Sequence, residues 1–361
     1  MAKFSKKIRV GVIFGGRSGE HEVSLVSAKS VIDHLDKKKY QVIPIGVDKN
    51  GNWIFNNPMM SLKTGRISEK QGSRLLSDKI LNKCDVIFPL IHGSFGEDGT
   101  LQGMLEMANI AYVGGGVMAS SISMDKVVQK QICQQVGIRV VVYDWFLKSD
   151  WKNNRTKILQ RIARKLKYPI FTKPANLGSS VGISKCHNQA ELISGINQAA
   201  KYDRKIIVEQ GIENIDEIEV GILGNDNPLA SVVGQVVASN EFYDYDAKYI
   251  DGKSEIIIPA KLPKKVIEEI QAIAIESFKA LDLSGLARVD FLVKRGSYTV
   301  YLNELNTIPG FTSISMYPRL WQASGLAYQK LLDKLITLAI SRHQEKNKLD
   351  TSYSPKSDWH Q

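Results

Sequence analysis

Short apolar runs alternate with amphipathic stretches over the first third of the chain. Runs rich in branched and aromatic residues occur at residues 8–14, 41–47 and 86–90 and predict strands. Residues 20–35 and 101–108 repeat their apolar positions at helical spacing and predict helices. Because strands that alternate with helices are typical of a parallel sheet, this region predicts an α/β domain whose loops after the strands hold ligands.

The pattern changes near residue 120. A helix is predicted to open here with Asp125 in its first turn and to end at Gly137. The polar and aromatic stretch 241–252 lacks apolar periodicity, so it predicts a long surface loop of the kind that often forms a lid. Other strands are predicted at residues 140–146 and 168–173, after the small-residue loop that follows Lys173, and as another pair within 206–222. Other helices are predicted at residues 152–167 and 263–281.

Two apolar runs, residues 289–293 and 298–302, flank a charged turn and predict an antiparallel hairpin. Asp290 lies on the first strand, and Glu304 and Asn306 lie two apart on the second, so strand alternation places that pair on one face. Two carboxylates and an amide carbonyl suit Mg²⁺, because that ion takes its remaining ligands from water and substrate phosphates. The pattern therefore predicts a nucleotide beside a magnesium site, in preference to acidic strand ends that face water.

Two glycine-rich loops follow predicted strands. The loop over residues 15–24 lacks the GxGxxG spacing of a dinucleotide site, but it places Glu20 near the start of a helix. That acid either faces the ligand crevice or simply favours the helix N-terminus. The loop over residues 89–103 contains four glycines and His92, which is either a contact for a substrate carboxylate or a structural histidine.

Lys173 ends a predicted strand just before the segment Gly-Ser-Ser-Val-Gly at residues 178–182. Small residues allow backbone amides to approach a polyphosphate closely, so this segment predicts a phosphate-covering loop. The P-loop pattern GxxxxGK[ST] is absent, and the alternative is a tight hairpin with a solvated lysine. Glu209 ends another apolar run, as a residue at the mouth of a ligand cleft would.

The composition is that of a soluble globular protein. The 361 residues are 43% hydrophobic and 24% charged, which allows two or three domains. The three cysteines are far apart, so we expect no disulfide framework and a reducing cytoplasm. No apolar run reaches the roughly 18 to 20 residues of a membrane span. The net charge of +11 is dispersed and no nucleic-acid-binding module occurs, so we expect neither a membrane nor a nucleic-acid partner.

Six motifs, which lie in the expected order between residues 8 and 325, resemble the ATP-grasp fold and, more narrowly, the D-alanine:D-alanine ligases. Any one motif is modest evidence, whereas six in order are specific. The motifs are Gly-Gly-x-Ser-x-Glu20-x-Glu-Val-Ser, His92-Gly-x-x-Gly-Glu-Asp-Gly-Thr-x-Gln-Gly, Met-Asp-Lys126, Lys173-Pro-x-x-x-Gly-Ser179-Ser-Val-Gly, Phe-Tyr-Asp-Tyr-x-Ala-Lys248-Tyr249, and Arg288-x-Asp290 with Glu304-x-Asn306-Thr-x-Pro-Gly310.

The resemblance implies an α/β fold of ATP-grasp architecture. An N-terminal parallel α/β substrate domain would span residues 1–122, and two α+β subdomains would clamp ATP. The first, residues 123–215, carries the glycine-rich loop, and the second, residues 216–345, carries the lid and the metal site. Residues 346–361 are expected to form a flexible tail. A homodimer is implied by the resemblance alone.

The resemblance also implies roles for single residues in ATP binding. Two Mg²⁺ or Mn²⁺ ions would be held by Asp290, Glu304 and Asn306, in agreement with the strand alternation. The residues implied for ATP itself are Lys126, Lys173 and Lys248 at the phosphates, Ser180 in the glycine-rich loop, Glu209 and Ile212 at adenine, and Glu217 at the ribose.

For the amino acid substrates, the resemblance implies that Glu20 holds the ammonium group of the first D-alanine and that His92 lies near its carboxylate. Further implied residues are Arg288 and the Gly310 amide at the oxyanion, Ser315 at the second carboxylate, and a hydrogen-bonded triad of Glu20, Ser179 and Tyr249. The implied reaction joins two D-alanines through a D-alanyl phosphate at the expense of ATP and supplies peptidoglycan precursors in a bacterial cytoplasm.

Alternative functions differ in the second substrate or in class. Ligases that use D-lactate typically have histidine in place of Tyr249, so the tyrosine favours an amino acid. D-Serine remains an alternative second substrate, because a binding pocket discriminates only weakly against one extra hydroxyl group. A nucleotide-binding module without turnover would be expected to lack a metal ligand or Arg288, and none is missing.

Overall fold

A five-stranded sheet is built from the first third of the chain, and we call it the N-terminal sheet. The computed structural model describes residues 7–55, 58, 62, 73–74, 76, 78–237, 255–312 and 314–352. The strand order is β3-β2-β1-β4-β5, and only β3 is antiparallel to its neighbour. The strands are β1 (Ile8–Gly15), β2 (Tyr40–Val47), β3 (Trp53–Ile54), β4 (Val86–Pro89) and β5 (Ala111–Tyr112), and the helices are α1 (His21–His34), α2 (Asp78–Leu81) and α3 (Thr100–Met107).

A four-stranded sheet, here called the central sheet, follows two consecutive helices. Its order is β6-β9-β7-β8, and every neighbouring pair is antiparallel. Its apolar side packs on two amphipathic helices, which explains the helical spacing of Ile158 and Ile162 in the basic segment. The elements are α4 (Val117–Met124), α5 (Lys126–Gln135), β6 (Tyr143–Leu147), α6 (Lys148–Lys165), β7 (Ile170–Pro174), β8 (Ser184–Cys186), α7 (Gln189–Tyr202) and β9 (Lys205–Gln210).

A second five-stranded sheet, the C-terminal sheet, is antiparallel in the order β12-β11-β10-β13-β14. Helix α8 covers its buried side, where Ile270, Ala274 and Phe278 lie in one core with both hairpin strands. The elements are β10 (Ile215–Gly224), β11 (Leu229–Val237), β12 (Glu255–Ile257), α8 (Lys264–Ala280), β13 (Gly285–Lys294), β14 (Val300–Asn306), α9 (Met316–Ala323) and α10 (Tyr328–Lys346).

The predicted hairpin is confirmed and is longer than its apolar runs. Asp290 pairs with Glu304 and Arg288 pairs with Asn306, with a bulge after Asp290. Directly opposite residues in an antiparallel pair project to the same side, so the acidic groups share one face. On the other face, alternate residues such as Val289 are buried.

Several predicted elements differ in detail from the structure. The two strands within residues 206–222 form, but they lie in different sheets and do not pair with each other. The strand predicted from residue 140 begins at Tyr143. Asp125 is the N-cap of α5 and not part of its first turn, because a separate helix, α4, ends just before it. The predicted lid, residues 241–252, lies outside the described residues.

The last helix returns to the N-terminal sheet. Leu331, Leu332 and Leu335 of α10 are buried in the same core as Val86 and Phe88 of β4. This helix therefore packs the beginning of the chain against its end. Helix α10 ends at Lys346, and residues 353–361 of the expected tail lie outside the described residues. Among the described residues, no helix is long and apolar enough to cross a membrane.

Candidate active site

Two adjoining cavities lie between the three sheets. The first has a volume of about 840 Å³ and the second about 680 Å³. Lys126, Ser179 and Glu304 line both cavities, so a group held in one faces a group held in the other. Every predicted site residue that the structure describes lines at least one of them: Glu20, His92, Lys126, Lys173, Ser179, Ser180, Glu209, Ile212, Glu217, Arg288, Asp290, Glu304, Asn306, Gly310 and Ser315. Lys248 and Tyr249 lie outside the described residues.

The hairpin face concentrates charge at the boundary of the two cavities. Arg288 donates to both carboxylate oxygens of Asp290, at 2.8 and 2.7 Å, and lies 2.9 Å from Glu219 Oε2. Burial opposes the charge of Arg288, but Asp290 and Glu219 outweigh this effect and raise the pKa of the guanidinium. Asn306 Nδ2 also donates to Asp290, over 2.9 Å. The partly buried arginine therefore neutralises Asp290, one of the two carboxylates predicted to hold a cation.

Lys126 reaches Glu304 from the start of α5. The Asp125 carboxylate accepts hydrogen bonds from the Val127 and Val128 amides, which fixes the first turn of this helix. Lys126 Nζ lies 3.2 Å from Glu304 Oε2 and donates to the Leu177 carbonyl over 2.8 Å. One ammonium group thus links the hairpin to the segment that leads into the glycine-rich loop.

Glu209 lies between two lysines in the second cavity. Its Oε2 is 2.5 Å from Lys173 Nζ, and its Oε1 is 3.0 Å from Lys130 Nζ. Burial acts to raise the pKa of Glu209, but the two ammonium charges outweigh it and lower the pKa to about 2. Burial lowers the pKa of Lys130, whereas for Lys173 the attraction of Glu209 outweighs burial and raises the pKa.

Glu20 joins the N-terminal sheet to the glycine-rich loop. Ser179 donates a short hydrogen bond to Glu20 Oε1. A methyl group at Gly178 would lie 3.0 Å from Glu20 Oε2, and one at Gly93 would lie 2.7 Å from it. Ser179 and Ser180 have positive φ angles of 50° and 58°, so this loop is a tight turn closed onto Glu20.

His92 is buried in the wall of the first cavity. Its Nδ1 lies 2.9 Å from the Ile308 carbonyl, and its Nε2 lies 3.0 Å from the Ser27 hydroxyl. Since a carbonyl only accepts, Nδ1 carries a proton. Both ring nitrogens therefore have partners within the protein, and the ring fixes the loop that runs from Ile308 to Gly310.

Glu97 fixes the same loop from its other side. Its carboxylate accepts hydrogen bonds from the Gly93 amide at 2.9 Å, the Ile308 amide at 3.0 Å and the Thr307 hydroxyl at 3.2 Å. Burial, and then the negative charge of Glu20, raise the pKa of Glu97.

Ser315 and Gly310 face each other at the far end of the first cavity. The Ser315 hydroxyl accepts from the Thr312 amide at 3.0 Å and lies 2.7 Å from the Thr312 hydroxyl. A methyl group at Gly310 would lie 2.9 Å from Ser315 Oγ, so glycine keeps this end open. The arrangement presents small polar groups just before helix α9.

Sequence reasoning assigned no role to Lys130, Glu97 or Glu219. Lys130 and Glu219 are buried beside groups of opposite charge, and the partly buried Glu97 accepts hydrogen bonds from backbone amides. For Lys130 the available signal was its place one helical turn after Lys126, which puts both side chains on the same face of α5. For Glu97 the sequence signal was its position inside the motif that begins at His92.

The residues predicted to bind metal present two carboxylates and one amide. Among the described residues, no group of three or more His, Cys, Asp or Glu side chains has the arrangement of a metal site. The donor set fits an ion that takes most of its ligands from water and phosphate, as Mg²⁺ does.

Comparison with known proteins identifies relatives along almost the whole chain. Two family models match, one described as D-ala D-ala ligase N-terminus over residues 9–115 and one as D-ala D-ala ligase C-terminus over residues 132–337. A D-alanine–D-alanine ligase of Natranaerobius thermophilus is 50% identical, covering 97% of this chain and 99% of the relative. One of Geobacillus thermodenitrificans is 47% identical, covering 96% and 99%.

Solved structures agree with these relatives. The D-alanine-D-alanine ligase from Coxiella burnetii has a TM-score of 0.79 and 36% identity, covering 95% of this chain and 97% of that chain. The VanG D-Ala:D-Ser ligase from Enterococcus faecalis has a TM-score of 0.82 and 34% identity, covering 92% and 100%. The expected ATP-grasp architecture is thereby confirmed.

Proposed function

The chain belongs to the D-alanine–D-alanine ligase family, and from this premise we propose how its two cavities carry out the reaction. It is an ADP-forming ligase that joins two D-alanines into D-alanyl-D-alanine at the expense of ATP. The observation that carries the proposal is the boundary shared by the cavities, where Lys126, Ser179 and Glu304 lie. ATP occupies the second cavity, and the amino acids occupy the first.

The reaction needs this adjacency. A carboxylate is a poor electrophile, so ATP first converts the carboxylate of one D-alanine into an acyl phosphate. That step depends mainly on positioning and on neutralising negative charge. Lys126 and Lys173 supply positive charge at the phosphates, and Lys248 adds to it.

The other ATP contacts follow from the walls of the second cavity. Glu209 and Ile212 hold adenine, and Glu217 holds the ribose. Ser180 lies in the glycine-rich loop over the phosphates. These roles agree with the position of all four residues around a single cavity.

Asp290, Glu304 and Asn306 would hold two Mg²⁺ or Mn²⁺ ions when ATP is bound. The ions supply charge neutralisation at the transferred phosphate. The paired position of Asp290 and Glu304 on one face supports this assignment, and Arg288 and Lys126 balance the two carboxylates in the structure described above.

In the first cavity, Glu20 holds the ammonium group of the first D-alanine, and His92 lies beside its carboxylate. The amine of the second D-alanine attacks the acyl phosphate, and Arg288 with the Gly310 amide faces the developing oxyanion. Ser315 binds the second carboxylate. Ser179 and Tyr249 complete a hydrogen-bonded set with Glu20 and are the candidates for handling the proton of the amine.

D-Serine is the second candidate for the second substrate. The similarity to a D-Ala:D-Ser ligase structure favours testing it. D-Lactate is the third, and Tyr249 argues against it. A chain that bound ATP without turnover would be the remaining alternative.

The product suits peptidoglycan precursor synthesis in a bacterial cytoplasm. We propose a homodimer and, along the chain, a substrate domain over residues 1–122 and ATP-binding subdomains over residues 123–215 and 216–345, with a tail beyond. ATP and D-alanine are the partners, and neither nucleic acid nor membrane is among them.

The direct test is phosphate release from ATP and Mg²⁺, with the product identified by mass spectrometry. We expect release that depends on D-alanine and yields D-alanyl-D-alanine, with L-alanine inactive. D-Serine and D-lactate are each offered with D-alanine, and a dominant mixed product would reassign the second substrate. ATP binding with no release for any D-amino acid would contradict the ligase assignment.

A further inference from the structure

Lys130 is a buried lysine for which the reaction described above provides no role. Its side chain is 1% exposed and that of Glu209 is 3% exposed, whereas the side chain of Lys173 is 12% exposed and lines the second cavity. A lysine is rarely buried this completely, because removing its charge from water is costly unless it is paired. A simple packing position would accept an apolar residue in its place.

The contacts of Lys130 join three parts of the chain. Its ammonium group lies 3.0 Å from Glu209 Oε1 and donates to the Asn303 carbonyl over 2.9 Å. Asn303 immediately precedes Glu304. Lys126, which lies one helical turn before Lys130 on α5, contacts Glu304. Lys126 and Lys130 therefore fix two consecutive residues of β14 from one helix face.

Lys130 determines the net charge of the cluster that it forms with Glu209 and Lys173. Glu209 carries one negative charge between two ammonium groups. Of the neighbouring carboxylates, Glu304 lies beside Lys126, and Asp290 and Glu219 both lie beside Arg288. Without Lys130, the charge of Lys173 would be cancelled by Glu209. With Lys130, the three-residue cluster keeps a surplus positive charge.

We infer that Lys130 is a positioning residue that holds and neutralises the Glu209 carboxylate, so that Lys173 keeps its positive charge for the phosphates of the nucleotide. Lys173, the most exposed member of the cluster, is the group that meets the ligand. Coulomb interactions in a partly buried site are several times stronger than in water, so the loss of one charge in the cluster alters phosphate affinity more than nucleoside affinity.

The test compares ADP with adenosine by calorimetry in the presence of a chelator, which removes the contribution of metal ions. Lys130→Met is expected to weaken ADP binding by about tenfold or more, the equivalent of ~1.4 kcal/mol. Adenosine binding is expected to change much less. Lys130→Arg keeps the charge and should keep the ratio of the two affinities. Gln131→Met, at an exposed position on the same helix, is the matched control and should change neither affinity.

A double variant separates charge from packing. Lys130→Met with Glu209→Gln removes both charges of the pair, which a fold tolerates better than one unpaired charge. The double variant should recover the ratio of ADP to adenosine affinity, because no carboxylate at position 209 then cancels the positive charge of Lys173. An equal loss for ADP and adenosine in the single variant, or a ratio that the double variant fails to recover, would overturn the inference. If the single variant does not fold, a double variant whose ratio of ADP to adenosine affinity differs from that of the unchanged protein overturns the inference.

This inference rests on the nucleotide site of the proposed function, but the two can fail separately. Binding of ADP needs no D-alanine. A protein that binds ADP in a Lys130-dependent way and forms no dipeptide would contradict only the ligase reaction. If dipeptide forms but the ratio of ADP to adenosine affinity is the same with and without Lys130, only the role of Lys130 is contradicted.

Discussion

At the scale of single residues, Arg288 contacts two carboxylates in the site. It binds Asp290 through two hydrogen bonds and lies against Glu219. We expect Arg288→Ala to lower kcat by about 10²- to 10³-fold, the usual loss for an oxyanion donor. Arg288→Lys should recover only part of it, because lysine lacks the planar fork that binds a carboxylate in two places.

Steady-state kinetics with thermal unfolding of each variant would measure this effect. Arg9→Ala is the control, since Arg9, near the start of the central strand β1, pairs with Asp85, and neither residue lines a cavity. A kcat for Arg288→Ala close to that of the unchanged protein would remove Arg288 from the oxyanion role.

Glu209 should make stability depend on acid. Its pKa lies near 2 in the folded protein, below the ordinary value of 4.5. The ionised carboxylate therefore stabilises the fold above pH 4.5, and this stabilisation is lost as the pH falls toward 2. The gap in unfolding free energy between the unchanged protein and Glu209→Gln should shrink across that window.

Urea denaturation at several acidic pH values would follow this gap. Glu268→Gln provides the comparison, because Glu268 is exposed on α8 and its contact with Lys264 is 3.7 Å long. If the difference in unfolding free energy between the unchanged protein and Glu209→Gln stayed constant as the pH fell from 4.5 toward 2, the Glu209 carboxylate would titrate as it does in water.

Sequence alternation predicted Glu304 and Asn306 on one face because strand geometry fixes the direction of alternate side chains, and the strand register adds Asp290 to that face. It could not find the Glu209 cluster. Lys130, Lys173 and Glu209 come from a helix and two strands far apart in sequence, and only the fold decides which buried charges meet.

At the scale of elements, Gly93 in the loop after β4 leaves room for the Glu20 side chain. Gly93 has a φ of +73°, and a methyl group there would lie 2.7 Å from Glu20 Oε2. We expect Gly93→Ala to displace Glu20 and to raise KM for D-alanine at least about tenfold, with a strain cost on the order of 1 kcal/mol. ADP affinity should stay nearly unchanged, because this loop borders only the first cavity.

Gly103→Ala is the control within the same motif. Gly103 lies in α3, and a methyl group there meets nothing within 4 Å. Alanine should be neutral or slightly stabilising in a helix. Equal KM values for D-alanine in the two variants would show that Glu20 does not need the space at Gly93.

The elements themselves were predicted best where the periodicity was long. The basic helix, the amphipathic helix α8 and the hairpin follow from spacing alone. The two strands within residues 206–222 were correctly expected, but their partners were not, because pairing is decided by long-range packing. Helix α4 was missed, since the short segment from Val117 to Met124 shows little contrast between apolar and polar positions.

At the scale of the whole molecule, α10 holds the N-terminal sheet to the C-terminal part. Leu335 is fully buried in the core that both share. We expect Leu335→Ala to lower the free energy of unfolding by about 2–5 kcal/mol, the usual cost of a cavity in a core. Lys334→Ala, on the exposed side of the same helix, should stay within about 0.5 kcal/mol.

Chemical denaturation measures both variants. Similar stabilities of Leu335→Ala and Lys334→Ala would mean that α10 contributes little to joining the N-terminal sheet to the C-terminal part. Sequence analysis predicted neither α10 nor its return, because no local pattern indicates which sheet receives the apolar side of a helix. The resemblance of the six motifs supplied the architecture that periodicity alone could not.

The most direct test of the reaction uses D-alanine labelled with ¹⁸O in its carboxylate, together with ATP and Mg²⁺. If the carboxylate attacks the γ-phosphate and the amine of the second D-alanine then displaces phosphate, the released phosphate carries a single ¹⁸O for each dipeptide formed, and ADP is the other product. Unlabelled phosphate, or dipeptide formed with release of AMP, would contradict an acyl phosphate and with it the placement of ATP and the first D-alanine in adjoining cavities.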